Sequence, residues 1–455
     1  MSSVRTLSPL VALAAMFATI APAAPHAAAI EIGAELGHAA VARKSRDRVY
    51  LRLSLKSLAA TTRKERPPLN VALVIDRSGS MEGDRIAAAK KGAHVALERL
   101  SRDDIVSLVS YNHAVEVDAP AGKIGAKRDA IEHAIDKLSA SGTTALYAGV
   151  KEGGEQVETF RSDMQVNRVV LLSDGLANVG PSSPAELAEL GRKLAGKGIT
   201  VSTIGLGLEY NEDLMQRLAA ASDGNHVFVE RPSDLAEIFD REFGDALSIA
   251  ARDVVITIEC RSGFTPKRIL GRDGEIAGNR VTVKLNQLQA ENERYVVVEL
   301  DPPKESGAQP EADVAAISVT YIDMERGTAG SDTATVKARL TDDAEEAKGS
   351  INKAVMSQVT EQVATEASEE AVALRDKGDV AGARKLLEDN ASYLNSQKSA
   401  LGTGAAAAPA ASISKLDKLE QKTREAANNL DAENWERTRK VMRHDQHKSK
   451  VQQSY

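Results

Sequence analysis

The chain has 455 residues, 42% hydrophobic and 27% charged, which is enough for several domains with a sizeable core. Its formal net charge of -7 and aromatic content of 3% argue against binding of phosphate backbones or stacking of bases, so no nucleic-acid partner is expected. The single cysteine, Cys260, excludes an intramolecular disulfide; its place in the apolar alternating stretch 254–260 reads as a buried strand position.

Residues 1–29 read as a secretory signal peptide. Arg5 precedes the apolar run LVALAAMFATI (10–20), and small-residue cleavage candidates follow at Ala21-Pro22-Ala23 and His26-Ala27-Ala28-Ala29. The run is too short for a comfortable transmembrane helix, and no later segment is apolar enough to span a bilayer. An exported protein, periplasmic or extracellular, is expected. Residues 30–66 hold an alternating strand in which Val49, Leu51, Leu53 and Leu55 share one face, followed by a basic, proline-containing boundary.

Residues 67–249 alternate between apolar runs and amphipathic stretches. Strands are expected at LNVALVI (69–75), IVSLVSY (105–111), VVLLS (169–173), ITVSTIGL (199–206) and 226–229. Helices are expected over 84–100, 129–138, 147–160, 184–195, 213–221 and 232–247. Continuously apolar strands between helices predict an α/β fold with a doubly wound, mostly parallel sheet covered on both faces. Residues 250–341 carry short strands separated by Gly and Asp turns and read as an antiparallel β-sandwich. The early strand needs a sheet to join, so the α/β unit is inserted in the sandwich or followed by it. Residues 342–401 read as a helical hairpin turning at Gly378, with Ile351, Val355, Val359 and Val363 along one face. Residues 402–411 (GTGAAAAPAA) are a linker, and 412–455 a charged, solvated helical or disordered tail containing His444 and His447.

Three pieces carry the chemistry: Asp76-Arg77-Ser78-Gly79-Ser80, Gly142-Thr143-Thr144-Ala145-Leu146 and Ser173-Asp174-Gly175. The first and third follow apolar strands directly. In an open parallel sheet, ligands sit outside the carboxyl ends of the strands where strand order reverses, so carboxylates and hydroxyls reach one crevice. Such hard oxygens suit Mg²⁺, Mn²⁺ or Ca²⁺ rather than zinc or copper.

DRSGSM (76–81), SGTTALYAG (141–149) and VVLLSDGLANVG (169–180) resemble the three motifs of von Willebrand factor A domains. In that family they form the metal-ion-dependent adhesion site. The resemblance implies Asp76, Ser78, Ser80, Thr144 and Asp174 as metal ligands, with the hydroxyls direct and the aspartates acting partly through water. Thr144 is preferred to Thr143 because the family's threonine follows a Gly-small pair. The resemblance further implies a divalent cation, Mg²⁺ first, with Mn²⁺ or Ca²⁺ as alternatives. The partner implied is a protein presenting an Asp or Glu carboxylate. The flanking segments resemble a bacterial subgroup similar to inter-alpha-trypsin inhibitor heavy chains and calcium-activated chloride channel homologues.

No catalytic residues are expected, since the eight histidines are scattered and no HExxH or GxSxG motif occurs. His94 and His133 read as ordinary helix positions, His113 as a residue bordering the crevice, and Asp103, Asp104 and Glu209 as solvated loop charges. Two other readings stay open: a scaffold or assembly factor whose metal site is mainly structural, and a chelatase-type subunit working with an ATPase if the amino terminus is not a signal.

Overall fold

A computed structural model describes residues 30–43, 47–57, 66–304, 309–404 and 407–452. The expected signal peptide, residues 1–29, lies outside the described residues. Three strands come first: β1 (Ile30–Leu36), β2 (Ala40–Ala42) and β3 (Val49–Ser57). Along β3, Val49, Leu51, Leu53 and Leu55 are buried while Tyr50, Arg52 and Lys56 are not, the two-residue period of a strand with one face on a core.

The α/β unit follows as β4 (Leu69–Asp76), α1 (Asp84–Glu98), β5 (Ile105–Tyr111), β6 (Val115–Lys123), α2 (Ile124–Lys137) and α3 (Leu146–Thr159). It continues with β7 (Val166–Ser173), α4 (Pro184–Ala195), β8 (Ile199–Leu206), α5 (Glu212–Ala221), β9 (His226–Val229) and α6 (Leu235–Leu247). The strand order is β6-β5-β4-β7-β8-β9, parallel throughout except for β6. Every position of β4, β5, β7 and β8 is buried, because helices cover both faces. Ala93, Leu97, Ile131, Ile135, Phe239 and Phe243 of α1, α2 and α6 pack on one face. Val150, Val157, Leu187, Leu194, Leu214 and Leu218 of α3, α4 and α5 pack on the other. Helix α3 lies close to the sheet because it presents glycines to it: a methyl on Gly153 would come within 2.4 Å of Val74. The antiparallel edge strand β6 was not anticipated. It contains Pro120, is half exposed, and pairs with β5 through two register shifts, so no apolar run marks it.

Strands β10 (Ile249–Cys260), β11 (Thr265–Leu270), β12 (Glu275–Ala277), β13 (Arg280–Gln289), β14 (Glu293–Asp301), β15 (Glu311–Asp323) and β16 (Thr328–Thr341) come next. They form two sheets, β1-β3-β14-β11 and β12-β13-β10-β15-β16-β2, whose apolar faces share one core. Since β1 and β3 complete one sheet and β2 the other, the α/β unit is inserted between β3 and β10. Cys260 is buried in that core, and burial pushes its thiol up to about 11.

Five helices end the described chain: α7 (Ala344–Gly349), α8 (Lys353–Asp376), α9 (Val380–Leu401), α10 (Ala410–Asn428) and α11 (Trp435–Val451). Gly378, at φ +89°, makes the turn between α8 and α9. The expectation of a solvated tail from residue 412 is corrected. Leu416, Thr423 and Ala426 of α10 and Lys440, Met442, Gln446 and His447 of α11 are buried. Helix α11 covers the sheet edge at β9, where His444 Nδ1 lies 3.0 Å from the His226 carbonyl oxygen and His447 Nε2 lies 2.9 Å from that of Gly224. Both rings donate an N–H there, satisfying carbonyls that an edge leaves open. The tail reads as solvated because charges such as Arg439, Lys440 and Arg443 find their partners on α5, far away in sequence. Asp104 is a second correction: it is buried, accepting from the backbone N–H of Leu69 at 2.7 Å and of Ser101 at 2.6 Å and pairing with Arg66.

Candidate metal centre

The chain runs from β4 to β5 on one side and crosses to β7 on the other, so strand order reverses between β4 and β7. Asp76 is the last residue of β4, and Asp174 directly follows the last residue of β7. Both carboxylates are fully buried. The Asp76 carboxylate accepts from the Ser78 N–H at 2.8 Å through Oδ1 and from the Ser173 hydroxyl at 2.6 Å through Oδ2, tying the two strand ends together. Burial pushes the Asp76 carboxyl up to about 6, against the hydrogen bonds of Ser173 and Ser78 that lower it.

The Asp76–Ser80 loop folds over the crevice in a single 3-10 turn, Gly79–Met81. Backbone bonds pin it to the second motif: Gly79 N–H donates to the Gly142 carbonyl at 2.9 Å and Ser141 N–H to that of Arg77 at 2.8 Å. Gly142 sits at φ +79°, and a side chain there would collide with His113, which borders this rim as expected. Asn112 and Asn178 hold the second motif from either side. Asn112 donates to the Ser141 carbonyl at 2.9 Å, and Asn178 Oδ1 accepts from Thr144 N–H at 2.8 Å.

The hydroxyls of Ser78 and Ser80 are 3.1 Å apart, and Ser80 donates to Asp174 Oδ1 at 2.7 Å. A methyl group built on Gly175 would stand 3.3 Å from Ser80 Oγ, 3.3 Å from Thr144 Oγ1 and 3.8 Å from Ser78 Oγ. Three hydroxyl oxygens from two separate segments, the Asp76–Ser80 loop and the Thr144 motif, therefore line one small space beside residue 175, which has no side chain to fill it. The structure thus brings together all five residues Asp76, Ser78, Ser80, Thr144 and Asp174. The donor set, three neutral oxygens backed by two carboxylates, fits a hard dication. Among the described residues there is no group of three or more His, Cys, Asp or Glu that could hold a metal ion.

Sequence reasoning gave no role to Ser173, although it lies in the third motif, nor to Asn112, Asn178 and Arg85. Arg85, on the first turn of α1, donates from Nη1 to Asp174 Oδ2 at 2.6 Å and to Glu209 Oε2 at 2.8 Å. Against the cost of burial, Glu209 and Asp174 hold the Arg85 guanidinium above its ordinary value. Glu209 is exposed, as expected, but it is not an isolated charge. Ser173 and Asn178 lie within the third motif, whereas Asn112 and Arg85 lie outside all three and no local pattern marks them.

A doubly wound α/β domain with an oxygen-lined crevice at its switch point is the class of protein that fold and site define. Residues 70–241 match the sequence model of the von Willebrand factor type A domain, and the chain carries such a domain. Among curated proteins it is similar to an uncharacterised protein of Synechocystis sp., 30% identical over 196 residues, covering 43% of this chain and 45% of that one. It is also similar to YfbK of Escherichia coli, 30% identical over 198 residues, covering 43% and 34%. Inter-alpha-trypsin inhibitor heavy chain H3 of Homo sapiens is 27% identical over 175 residues, covering 36% and 19%. The matched stretch spans less than half the length of these relatives. Among solved structures, a von Willebrand factor type A protein from Catenulispora acidiphila aligns with a TM-score of 0.66 at 18% identity, over 86% of this chain and 96% of that one. The ArnB paralog VWA2 from Sulfolobus acidocaldarius aligns with a TM-score of 0.61 at 16% identity, over 93% and 98%. These likenesses are of fold, and at this coverage they extend beyond the α/β unit.

Proposed function

We propose that the chain is an exported binding protein, periplasmic or extracellular, that captures an acidic side chain of a protein partner through a divalent cation, Mg²⁺ ahead of Mn²⁺ or Ca²⁺. The observation that carries this reading is the convergence of the Ser78, Ser80 and Thr144 hydroxyls over Gly175, with two buried carboxylates behind them. When bound, the cation supplies an electrophilic position that a carboxylate of the partner completes. The hydroxyls of Ser78, Ser80 and Thr144 offer neutral oxygens. Asp76 and Asp174 provide counter-charge from positions already hydrogen-bonded within the protein, which holds them still.

Binding rather than catalysis is the proposed role, because the carboxylates that would serve a reaction as acid or base are engaged by Ser78, Ser80, Ser173 and Arg85. The apolar run 10–20 with its small-residue cleavage candidates supports export. No helix among the described residues is long and apolar enough to cross a membrane. A scaffold reading draws on Asp76, whose carboxylate joins the ends of β4 and β7; there the cation would alter stability and leave partner binding unchanged.

The test is calorimetric titration of the EDTA-treated chain with Mg²⁺, Mn²⁺ and Ca²⁺, beside a Ser80→Ala, Thr144→Val variant. One saturable site, lost in the variant, is the expected result. A folded chain that takes up none of the three cations would overturn the reading.

A further inference from the structure

Arg85 brings a permanent positive charge to the wall of the proposed metal crevice. Its Nη1 donates to the buried Asp174 Oδ2 at 2.6 Å, to the solvent-facing Glu209 Oε2 at 2.8 Å and to the Ser80 carbonyl oxygen at 3.3 Å. The other Asp174 oxygen takes the Ser80 hydroxyl at 2.7 Å. One guanidinium thus bridges a carboxylate of the crevice and a carboxylate outside it. The Glu209 loop is held close, since a side chain on Gly207 would come within 3.4 Å of Arg85 Nη2.

Taking the crevice as a metal site, we infer that Arg85 is an internal competitor for the cation, setting the metal affinity, and that Glu209 is the seat that draws its charge away from Asp174. The inference rests on that reading of the site. Two cations sharing one buried carboxylate repel each other across a few ångströms of partly desolvated protein, where charges are weakly screened. Arginine keeps its proton at every working pH, so the competition cannot be relieved by deprotonation. It can be relieved by a shift toward Glu209, because that carboxylate spares the guanidinium an unpaired state. Asp174 answers to whichever cation wins, and the charge on Glu209 decides how readily Arg85 yields.

The experiment is Mg²⁺ titration calorimetry on the full chain and on Arg85→Gln, Arg85→Lys, Glu209→Gln and the Arg85→Gln, Glu209→Gln pair, with thermal unfolding as a folding control. Arg85→Gln is expected to bind Mg²⁺ about ten times more tightly, as removal of one nearby cation in a partly screened site implies. Arg85→Lys, which keeps the charge, stays within about twofold of the parent. Glu209→Gln binds about threefold more weakly, and that loss disappears in the pair, because Glu209 acts through Arg85. Unchanged or weaker Mg²⁺ binding by a folded Arg85→Gln overturns the competition. Absence of Mg²⁺ binding by the parent chain and every variant overturns the metal reading itself, and this inference with it.

Discussion

The Lys440 ammonium on α11 lies 2.7 Å from Glu212 Oε2 on α5 and 4.7 Å from the centre of the Tyr210 ring, with both charged side chains buried. The last described helix is thereby anchored to the α/β unit by an ion pair withdrawn from water, reinforced by Arg439 on Glu212, Asp213 and Asp376. Lys440→Met leaves Glu212 with one partner fewer and the Tyr210 carbonyl without its donor. A loss of about 3 kcal/mol is expected, toward the lower end for a broken buried pair because Arg439 remains. Urea unfolding measures it, and limited proteolysis should release α11 first.

Acid should loosen the same contact. His226, His444 and His447 cluster there, with the His226 ring centre 6.5 Å from that of His444 and 6.0 Å from that of His447. Burial holds all three below the ordinary histidine value, His447 at about 3. A group whose folded pKa is depressed in this way binds its proton first in the unfolded chain. Stability is therefore fully present above about pH 6.5 and falls as the pH drops below it; His447 contributes about 1.4 kcal/mol per unit down toward pH 3, and His226 and His444 act in the same direction. Urea midpoints at pH 7.5, 6.5 and 5.5 test this; His447→Gln, which can still donate to Gly224, should flatten the slope.

Gly175→Ala tests the crevice without touching a charge. The added methyl would stand 3.3 Å from the Ser80 and Thr144 hydroxyl oxygens, in the space those oxygens surround. Magnesium needs its oxygens at about 2.1 Å in near-octahedral order, so affinity should fall at least about tenfold while the unfolding temperature stays within about 2 °C. Binding as tight as in the parent chain would move the metal away from Gly175.

Within the α/β unit, Arg168 and Glu242 form a buried pair at 2.5 Å that joins β7 to α6, and Asn225 donates to the same carboxylate at 2.8 Å. Glu242→Ala strands the Arg168 charge and should cost about 3–5 kcal/mol in denaturant unfolding. A variant as stable as the parent would mean that water reaches Arg168 once the carboxylate is gone.

Much of this architecture follows from local pattern. A central parallel strand must be apolar at every position, so LNVALVI and VVLLS announce themselves, and the oxygen-rich loops that end them fall at one side of the sheet by geometry alone. Alternation in Val49 to Leu55 likewise shows a strand in need of a sheet. Which sheet it joins was decided by pairing with β14, where β3 Val49 meets Leu300, 251 positions later in the chain. The role of Arg85 depends on Asp174, 89 positions away, and the burial of α11 on acids such as Glu212, 227 positions from Arg439. A charge reads the same in sequence whether water or a distant carboxylate will solvate it, and only the tertiary fold makes that choice.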